Sequence, residues 1–137
     1  LALRTRPNER IVLVSDAIAA AGWEGGDLTL YGRKLAAKGN GLYYADSGVL
    51  VGSRALVRDA VAGLVTRFGV PVATAVAMAS LNPARLFAAE RKGALLPGYD
   101  ADVALFTKDF SSCRLTLWEG RAIHGTGPGQ ARAAVSG

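Results

Sequence analysis

Residues 11–17 read Ile-Val-Leu-Val-Ser-Asp-Ala, and this stretch gives the strongest indication of the fold. Four aliphatic residues without alternation are typical of a strand covered on both faces, as in the parallel sheets of α/β proteins. A carboxylate buried inside such a strand would cost several kcal/mol of lost hydration, so we expect Asp16 where the strand leaves the sheet. Catalytic groups gather at the carboxyl ends of parallel strands, which makes Asp16 a candidate for chemistry. Alternatively, Asp16 caps the short turn that follows.

The length and composition indicate a globular α/β chain. With 137 residues, of which 50% are hydrophobic, the chain can build one domain with a core. A complete (β/α)8 barrel takes roughly 250 residues. If the strand at 11–17 belongs to a barrel, we therefore expect most of that barrel outside this sequence.

The charge and the apolar runs argue against two classes of partner. The net charge is +5, but the basic residues are scattered, and their one concentration, at Arg4, Arg6 and Arg10, has no interleaved aromatic residues. We therefore expect no nucleic-acid binding. No apolar run approaches the ~20 residues that span a bilayer, and no signal peptide is recognisable. The single cysteine, Cys113, fits a reducing compartment, so the sequence predicts a cytoplasmic protein with no membrane partner.

Short strands and helices are predicted after Asp16. Three glycine-punctuated strands at 28–31, 34–37 and 42–45 predict a β-meander inserted at about 28–45. The segment 48–53 leads into a helix that Ser53 can cap and that Gly69 ends. A glycine just before a helix start suits an anion or a carbonyl oxygen, although an ordinary loop and cap explains it equally. Arg54 either contacts a ligand or is solvated.

The rest of the chain turns from helices to strands. A second helix is predicted from Pro71 to about Ala79, with Met78 in the core, and a third opens with Asn82 as its cap. Strands at 102–106, 113–118 and 121–124 follow, and a Glu-Gly turn at 119–120 joins the last two into a hairpin.

Four segments, in this order, resemble the C-terminal part of N-acetylglucosamine-6-phosphate deacetylases, which belong to the metal-dependent amidohydrolase superfamily. The third and fourth are widespread in that superfamily, whereas the first two are typical of the deacetylase branch. The segments are Leu-Val-Ser-Asp-Ala at 13–17, Leu-Val-Gly-Ser at 50–53, Met-Ala-Ser-Leu-Asn-Pro-Ala-Arg at 78–85, and Lys-Gly-Ala-Leu-Leu-Pro-Gly-Tyr-Asp-Ala-Asp at 92–102.

The resemblance implies a fold and a division of the chain. Residues 1–91 would be the C-terminal part of a (β/α)8 barrel with the β-hairpin insertion at about 28–45. Residues 92–124 would supply the C-terminal strands of a small β-sandwich domain, and 125–137 a tail. The implied reaction is hydrolysis of the acetyl amide of N-acetylglucosamine 6-phosphate, which gives glucosamine 6-phosphate and acetate in amino-sugar catabolism.

The resemblance also implies site residues and a cofactor. Asp16 matches the catalytic aspartate, which takes a proton from a metal-bound water and passes it to the departing nitrogen. Leu50, Val51 and Gly52 match a substrate-contacting segment. The family's divalent metal, zinc or iron, is held by a Glu and two His that lie N-terminal to Asp16, so no metal ligand is expected within this chain. The missing N-terminal portion is therefore an expected partner, and a homodimer is implied.

Two features leave other readings open. Where relatives often have Ser-Thr-Leu-Thr, this chain has Ser-Arg-Ala-Leu at 53–56, which puts the local substrate contacts in doubt. The substrate could instead be N-acetylgalactosamine 6-phosphate or a cyclic amide. A reading of a different class is a non-catalytic interaction module that uses the β-rich segments at 28–45 and 102–124.

Overall fold

A computed structural model describes residues 2–23 and 26–125 of the chain, so most of the predicted tail at 125–137 lies outside the described residues. The described part contains two antiparallel sheets with three main helices between them in the sequence. The elements are α1 (Ala2–Thr5), a 3-10 turn (Asn8–Arg10), β1 (Thr29–Leu30), β2 (Arg33–Lys38), β3 (Gly41–Tyr44), β4 (Leu50–Ser53), α2 (Val57–Phe68), α3 (Val72–Ala79), α4 (Leu81–Leu86), β5 (Val103–Phe106), β6 (Cys113–Trp118) and β7 (Arg121–His124).

The first sheet confirms the predicted meander and adds a fourth strand. Its order is β1-β2-β3-β4, with each strand antiparallel to the next. Leu42 of β3 is fully buried, and Leu35 of β2 is nearly so, whereas most other side chains of β2 are exposed. The sheet is therefore built from neighbours in sequence and has one apolar position at its centre, Leu42.

The helices follow the predicted apolar spacing, but α2 begins later than expected. Its first residue is Val57, because Ser53 belongs to β4 and its hydroxyl accepts a hydrogen bond from the amide of Ala55 (2.8 Å). The carboxylate of Asp59 accepts a bond from the amide of Leu56 (2.8 Å) and so satisfies an amide at the helix start. The prediction that Ser53 caps this helix is wrong. Met78 of α3 is fully buried, as predicted.

Asn82 does not cap a helix but lies buried within α4. Its side-chain amide donates to the carbonyl oxygens of Asn8 (2.9 Å) and Ile11 (2.7 Å). The predicted cap is therefore corrected to a cross-link between α4 and the N-terminal segment. Buried amides persist where they have such partners, because an unpaired polar group in the interior is costly.

Residues 11–16 have neither helix nor strand structure and do not form the predicted buried strand. The amide of Leu13 donates to the carbonyl of Met78 at the end of α3 (2.9 Å), and Val14 is 75% exposed. Pairing with a strand begins only at Ala17, which forms an isolated parallel bridge with Ser53. A parallel strand needs partners from distant parts of a chain. Among the described residues, β4 is the only such neighbour.

The second sheet, of order β5-β6-β7, confirms the three strands predicted near the end of the chain. Glu119 and Gly120 both have positive φ (48° and 79°), which suits the tight hairpin turn between β6 and β7. Leu115 of β6 is buried, whereas all four residues of β7 are exposed. The boundary at residues 91 and 92 between a barrel portion and a sandwich portion stays a prediction.

Candidate active site

Asp16 and the segment 50–53, which the sequence singled out separately, lie against each other. The amide of Ser53 donates to the carbonyl of Asp16 (2.9 Å), and the amide of Ile18 donates to the carbonyl of Ser53 (3.1 Å). These bonds flank the parallel bridge between Ala17 and Ser53. The structure therefore brings Asp16 to the outer edge of β4, next to the proposed substrate-contacting residues.

Gly52 allows this close approach. Its φ is 149°, and a Cβ built there would lie 2.6 Å from Cγ2 of Ile18 and 3.2 Å from the carbonyl oxygen of Asp16. A side chain at position 52 would thus push residues 16–18 away from β4. A glycine is needed at position 52 because the backbones of β4 and of residues 16–18 approach each other there. This reason is more specific than the predicted one, a glycine that exposes amides at a helix start.

The side chain of Asp16 is available for chemistry. The residue is exposed, and its carboxylate accepts no hydrogen bond from any residue in the described part of the chain. Its backbone has φ 51°, a left-handed conformation that costs energy in a non-glycine residue and is found disproportionately at functional sites. Asp16 therefore does not cap the following turn through its side chain.

The three proposed substrate contacts differ in exposure. Leu50 is exposed, Val51 is half-buried and Gly52 is buried. Tyr43 of β3 pairs with Leu50, and Leu42 pairs with Gly52, so β4 is fixed on one side by the meander. A substrate beside Asp16 could reach the side chain of Leu50 or the backbone of β4.

Arg54, which the sequence left open between a ligand contact and a solvated side chain, is half-buried and donates to two backbone carbonyls. Its Nε donates to the carbonyl of Gly39 (3.0 Å), and a terminal guanidinium nitrogen donates to the carbonyl of Trp23 (2.9 Å). One sign of this role could be read from the sequence, because an arginine stands where the resembling deacetylases often have a threonine.

The described residues do not offer a metal centre. No group of three or more His, Cys, Asp or Glu side chains comes together within residues 2–23 and 26–125. His124, the one histidine, contacts the carbonyl of Cys113 through Nε2 (3.2 Å) at the edge of the second sheet. A divalent metal therefore cannot be assigned to ligands within this part of the chain.

An apolar groove of about 600 Å3 lies between the helices α2 and α3 and strand β5. Its walls are mainly aliphatic and aromatic, and its one carboxylate, Asp102, is already paired with Lys92 (2.6 Å). Asp16 and the residues of β4 are not part of its lining. The groove therefore lacks a free acid or base, and Asp16 remains the better candidate for chemistry.

Lys92 forms a cluster of ion pairs next to the second sheet, and these pairs shift the pKa values of their members. Lys92 contacts Asp100 (2.9 Å) and Asp102 (2.6 Å), and Arg91 contacts Asp100 (2.6 Å). Hydrogen bonds to the two carboxylates raise the pKa of Lys92, and those from Lys92 lower the pKa of both Asp100 and Asp102. This Lys92 cluster joins the end of the helical region to β5.

The structure places an acidic residue, Asp16, where the segment at 11–16 meets the outer edge of β4. Residues 5–125 match the amidohydrolase family. The match covers most of the chain, and the chain belongs to that family. Amidohydrolases are generally dependent on a divalent metal.

Two relatives and one solved structure show which members of the family the chain is similar to. The chain is 44% identical over 96 residues, 69% of its length, to the N-acetylgalactosamine-6-phosphate deacetylase of Escherichia coli O157:H7. It is 38% identical over 124 residues, 90% of its length, to the N-acetylglucosamine-6-phosphate deacetylase of Bos taurus. The crystal structure of N-acetylglucosamine-6-phosphate deacetylase from Thermotoga maritima matches 90% of the chain with a TM-score of 0.76 and 26% identity, and 33% of that structure is covered.

The chain spans only part of these relatives. It covers 25% of the E. coli O157:H7 protein, 30% of the bovine protein and 57% of a protein from E. coli K12 whose name gives the same activity as the O157:H7 protein.

Of the helices in the described part, none combines the length and apolar character that crossing a bilayer requires.

Proposed function

We propose that this chain is the C-terminal part of a metal-dependent amidohydrolase that deacetylates N-acetylglucosamine 6-phosphate. The products would be glucosamine 6-phosphate and acetate. The observation that carries the proposal is the pairing of Asp16 with Ser53, which joins the two segments typical of the deacetylase branch at one edge of β4. Family membership and the names of the relatives support the reaction class.

The proposed division of the chain follows the same resemblance. Residues 1–91 would supply the last strand and closing helices of a (β/α)8 barrel, with the meander as an insertion. Residues 92–124 would supply strands of a small β-sandwich. The segment at 11–16, which pairs with a strand only from Ala17 onward, is consistent with a barrel strand whose other neighbours come from outside this sequence.

In the proposed reaction Asp16 handles the proton. It takes a proton from the water that attacks the acetyl carbonyl, so that a new C–O bond forms. It then gives this proton to the amide nitrogen as the C–N bond breaks, which releases acetate and the free amine. An exposed carboxylate that accepts no hydrogen bond from the described residues is suited to act first as base and then as acid.

Leu50, Val51 and Gly52 would contact the substrate beside Asp16. Because β4 lies against residues 16–18, a sugar seated on Leu50 would lie close to Asp16. The proposed metal, zinc or iron, would be bound by residues outside this sequence, as the resemblance to the deacetylases implies. The proposed enzyme would be a cytoplasmic homodimer.

A second candidate substrate is N-acetylgalactosamine 6-phosphate. The higher identity to the E. coli deacetylase of that sugar, 44% against 38% for the bovine enzyme, favours it, whereas the bovine match extends over more of the chain. The two sugars differ at one hydroxyl group. Parallel assays with both substrates distinguish the candidates.

The first experiment is the intact mass of the protein that carries this sequence, measured under denaturing conditions. A mass much above 14.2 kDa, or a second chain beside it, is expected if the chain is part of a larger enzyme. Acetate release from both sugar phosphates is then measured on the full-length protein. A single species of 14.2 kDa that releases no acetate would overturn the proposal in favour of a non-catalytic module.

The variant Asp16→Asn tests the assigned role directly. Asparagine keeps the size of the side chain but cannot transfer the proton, so we expect kcat to fall by about 10²- to 10⁴-fold. Asp27→Asn, at an exposed acid that makes no side-chain contact within the described residues, is the matched control and should keep wild-type kcat. An Asp16→Asn enzyme of wild-type activity would remove Asp16 from the mechanism.

A further inference from the structure

Arg54, at the end of β4, is hydrogen-bonded to two other segments: the loop that follows Asp16 and the turn between β2 and β3. Its guanidinium donates to the carbonyl of Trp23 (2.9 Å) and to that of Gly39 (3.0 Å). Its own amide donates to the carbonyl of Asn40 (3.0 Å), and its own carbonyl accepts from the amide of Gly22 (2.9 Å). One residue at the end of β4 therefore holds both the turn between β2 and β3 and the loop that follows Asp16.

The loop at 17–23 is held against β4 at both of its ends. At the end nearer Asp16, the amide of Ile18 donates to the carbonyl of Ser53. At the far end, Gly22 and Trp23 are bonded to Arg54 by its backbone and its side chain respectively. Since Asp16 has φ 51°, its conformation persists only where the flanking chain is fixed on both sides.

An arginine is suited to this position because its planar guanidinium donates in several fixed directions at once. The two carbonyls that it reaches, from Trp23 and Gly39, belong to different loops. A lysine at the same position carries its donors on a single nitrogen. We expect it to donate a hydrogen bond to one of the two carbonyls but not to both. The side chain is half-buried, so its bonds are partly protected from water.

We propose that Arg54 is a positioning residue for Asp16: by anchoring the loop at 17–23 to the turn between β2 and β3, it fixes the direction of the Asp16 carboxylate. The inference rests on the proposed function, because it gives Asp16 the proton-transfer role. Within the described residues, the hydrogen bonds of the Arg54 side chain go to the carbonyls of Gly39 and Trp23 and not to the Asp16 carboxylate. Loss of Arg54 should therefore change turnover and leave substrate affinity largely intact.

The test uses the full-length protein with Arg54→Met, which keeps the aliphatic stem but removes the donors, and with Arg54→Lys. The matched control is Arg33→Met, which removes an arginine of the same sheet that bonds the side chains of Asp46 and Ser47 instead of the loop. Acetate release gives kcat and KM. Amide hydrogen exchange at Ile18 and Gly22 reports whether the loop stays in place, independently of activity.

For Arg54→Met we expect kcat to fall about tenfold to a hundredfold, as for a misplacement of about 1 Å, with KM changed by less than about threefold. Exchange at Ile18 and Gly22 should rise, Arg54→Lys should recover part of both effects, and Arg33→Met should leave kcat and the loop unchanged. Wild-type kcat in Arg54→Met would overturn the inference. So would a rise in KM alone, or a rise in exchange spread evenly over the whole protein.

The same measurements separate this inference from the proposed function. If the wild-type protein releases no acetate from either sugar phosphate, the proposed function fails, and the exchange data still decide whether Arg54 holds the loop. If the wild type is active and Asp16→Asn is not, but Arg54→Met behaves as wild type, only the positioning role fails.

Discussion

The first three strands of the meander β1–β4 and the segment at 11–16 were all predicted as strands, yet the two regions are stabilised in different ways. Each strand of the meander pairs with the strand before it across a short turn, so its partners lie within about a dozen residues, and Leu42 is buried at its centre. The segment at 11–16 is instead held by helices, through Met78 and Asn82, and meets a strand only from Ala17.

The difference shows what a local signal can specify. A hairpin is encoded by alternating residues and by the turn between two strands, both of which are present in one short stretch. A parallel strand is encoded only in part, because its partners come from elsewhere in the chain. The apolar run at 11–14 predicts burial, but it does not say which elements will cover it.

Leu42→Ala tests how the meander is stabilised, and of the variants compared here it should have the largest effect on the free energy of unfolding. The side chain is fully buried, so its truncation removes apolar contacts and leaves a cavity, at a cost of about 2–5 kcal/mol of unfolding free energy. Urea unfolding of the full-length protein measures the loss. Exchange at the amide of Tyr44, which is bonded to Val49, should rise as well.

The control for that variant is Val49→Ala, an exposed position beside β4. It should lose less than about 0.5 kcal/mol. Equal losses for Leu42→Ala and Val49→Ala would mean that the meander is not organised around Leu42.

Asn82→Ala tests how the segment at 11–16 is held, and it should lower the free energy of unfolding by less than Leu42→Ala does. It removes the Asn82 donor from the carbonyl of Ile11 and from that of Asn8, which still accepts from the amide of Ile11 (3.2 Å). This loss should cost about 1–3 kcal/mol and raise exchange at the amide of Leu13. Asn8→Ala is the matched control, because it keeps the carbonyl that accepts the bond. If Asn82→Ala left exchange at Leu13 unchanged, the cross-link would not be what holds the segment at 11–16.

The sequence predicted what depends on neighbours along the chain. The meander, the helix at Val57–Phe68 with its glycine end and the hairpin with its Glu119-Gly120 turn were recognisable from periodicity and turn residues. The roles of Asn82 and Arg54 were not, because an amide at a helix start and an arginine after a strand have several common roles. Their partners, at Ile11 and Trp23, are 71 and 31 residues away.

The candidate site was predicted by a different route. From the residues alone, Asp16 could be either a catalytic residue or the cap of the following turn. The resemblance to the deacetylases favoured the catalytic role. The structure adds that Asp16 and Gly52 are in contact, and the missing side chain of Gly52 has a steric reason in Ile18. Its catalytic role stays a prediction until Asp16→Asn is measured.

The Lys92 cluster provides the third and smallest test, since it joins two elements through exposed or half-exposed charges rather than through burial. Lys92 lowers the pKa of Asp100 and Asp102 below the ordinary value of 3.8. A carboxylate whose pKa is lower in the folded state stabilises the fold at pH above its ordinary pKa. That contribution is lost as the pH falls through the folded-state value.

Lys92→Met should therefore lower the unfolding temperature slightly at pH 7 and flatten its decline below about pH 4, where the wild type loses the stabilising contribution of both carboxylates. Lys108→Met is the control, because Lys108 is exposed and forms no ion pair within the described residues. Thermal unfolding between pH 7 and pH 2.5 gives both profiles. If Lys92→Met kept the wild-type decline in acid, the two carboxylates would not owe their lowered pKa to Lys92, and the sheet β5–β7 would be held to the helices by packing alone.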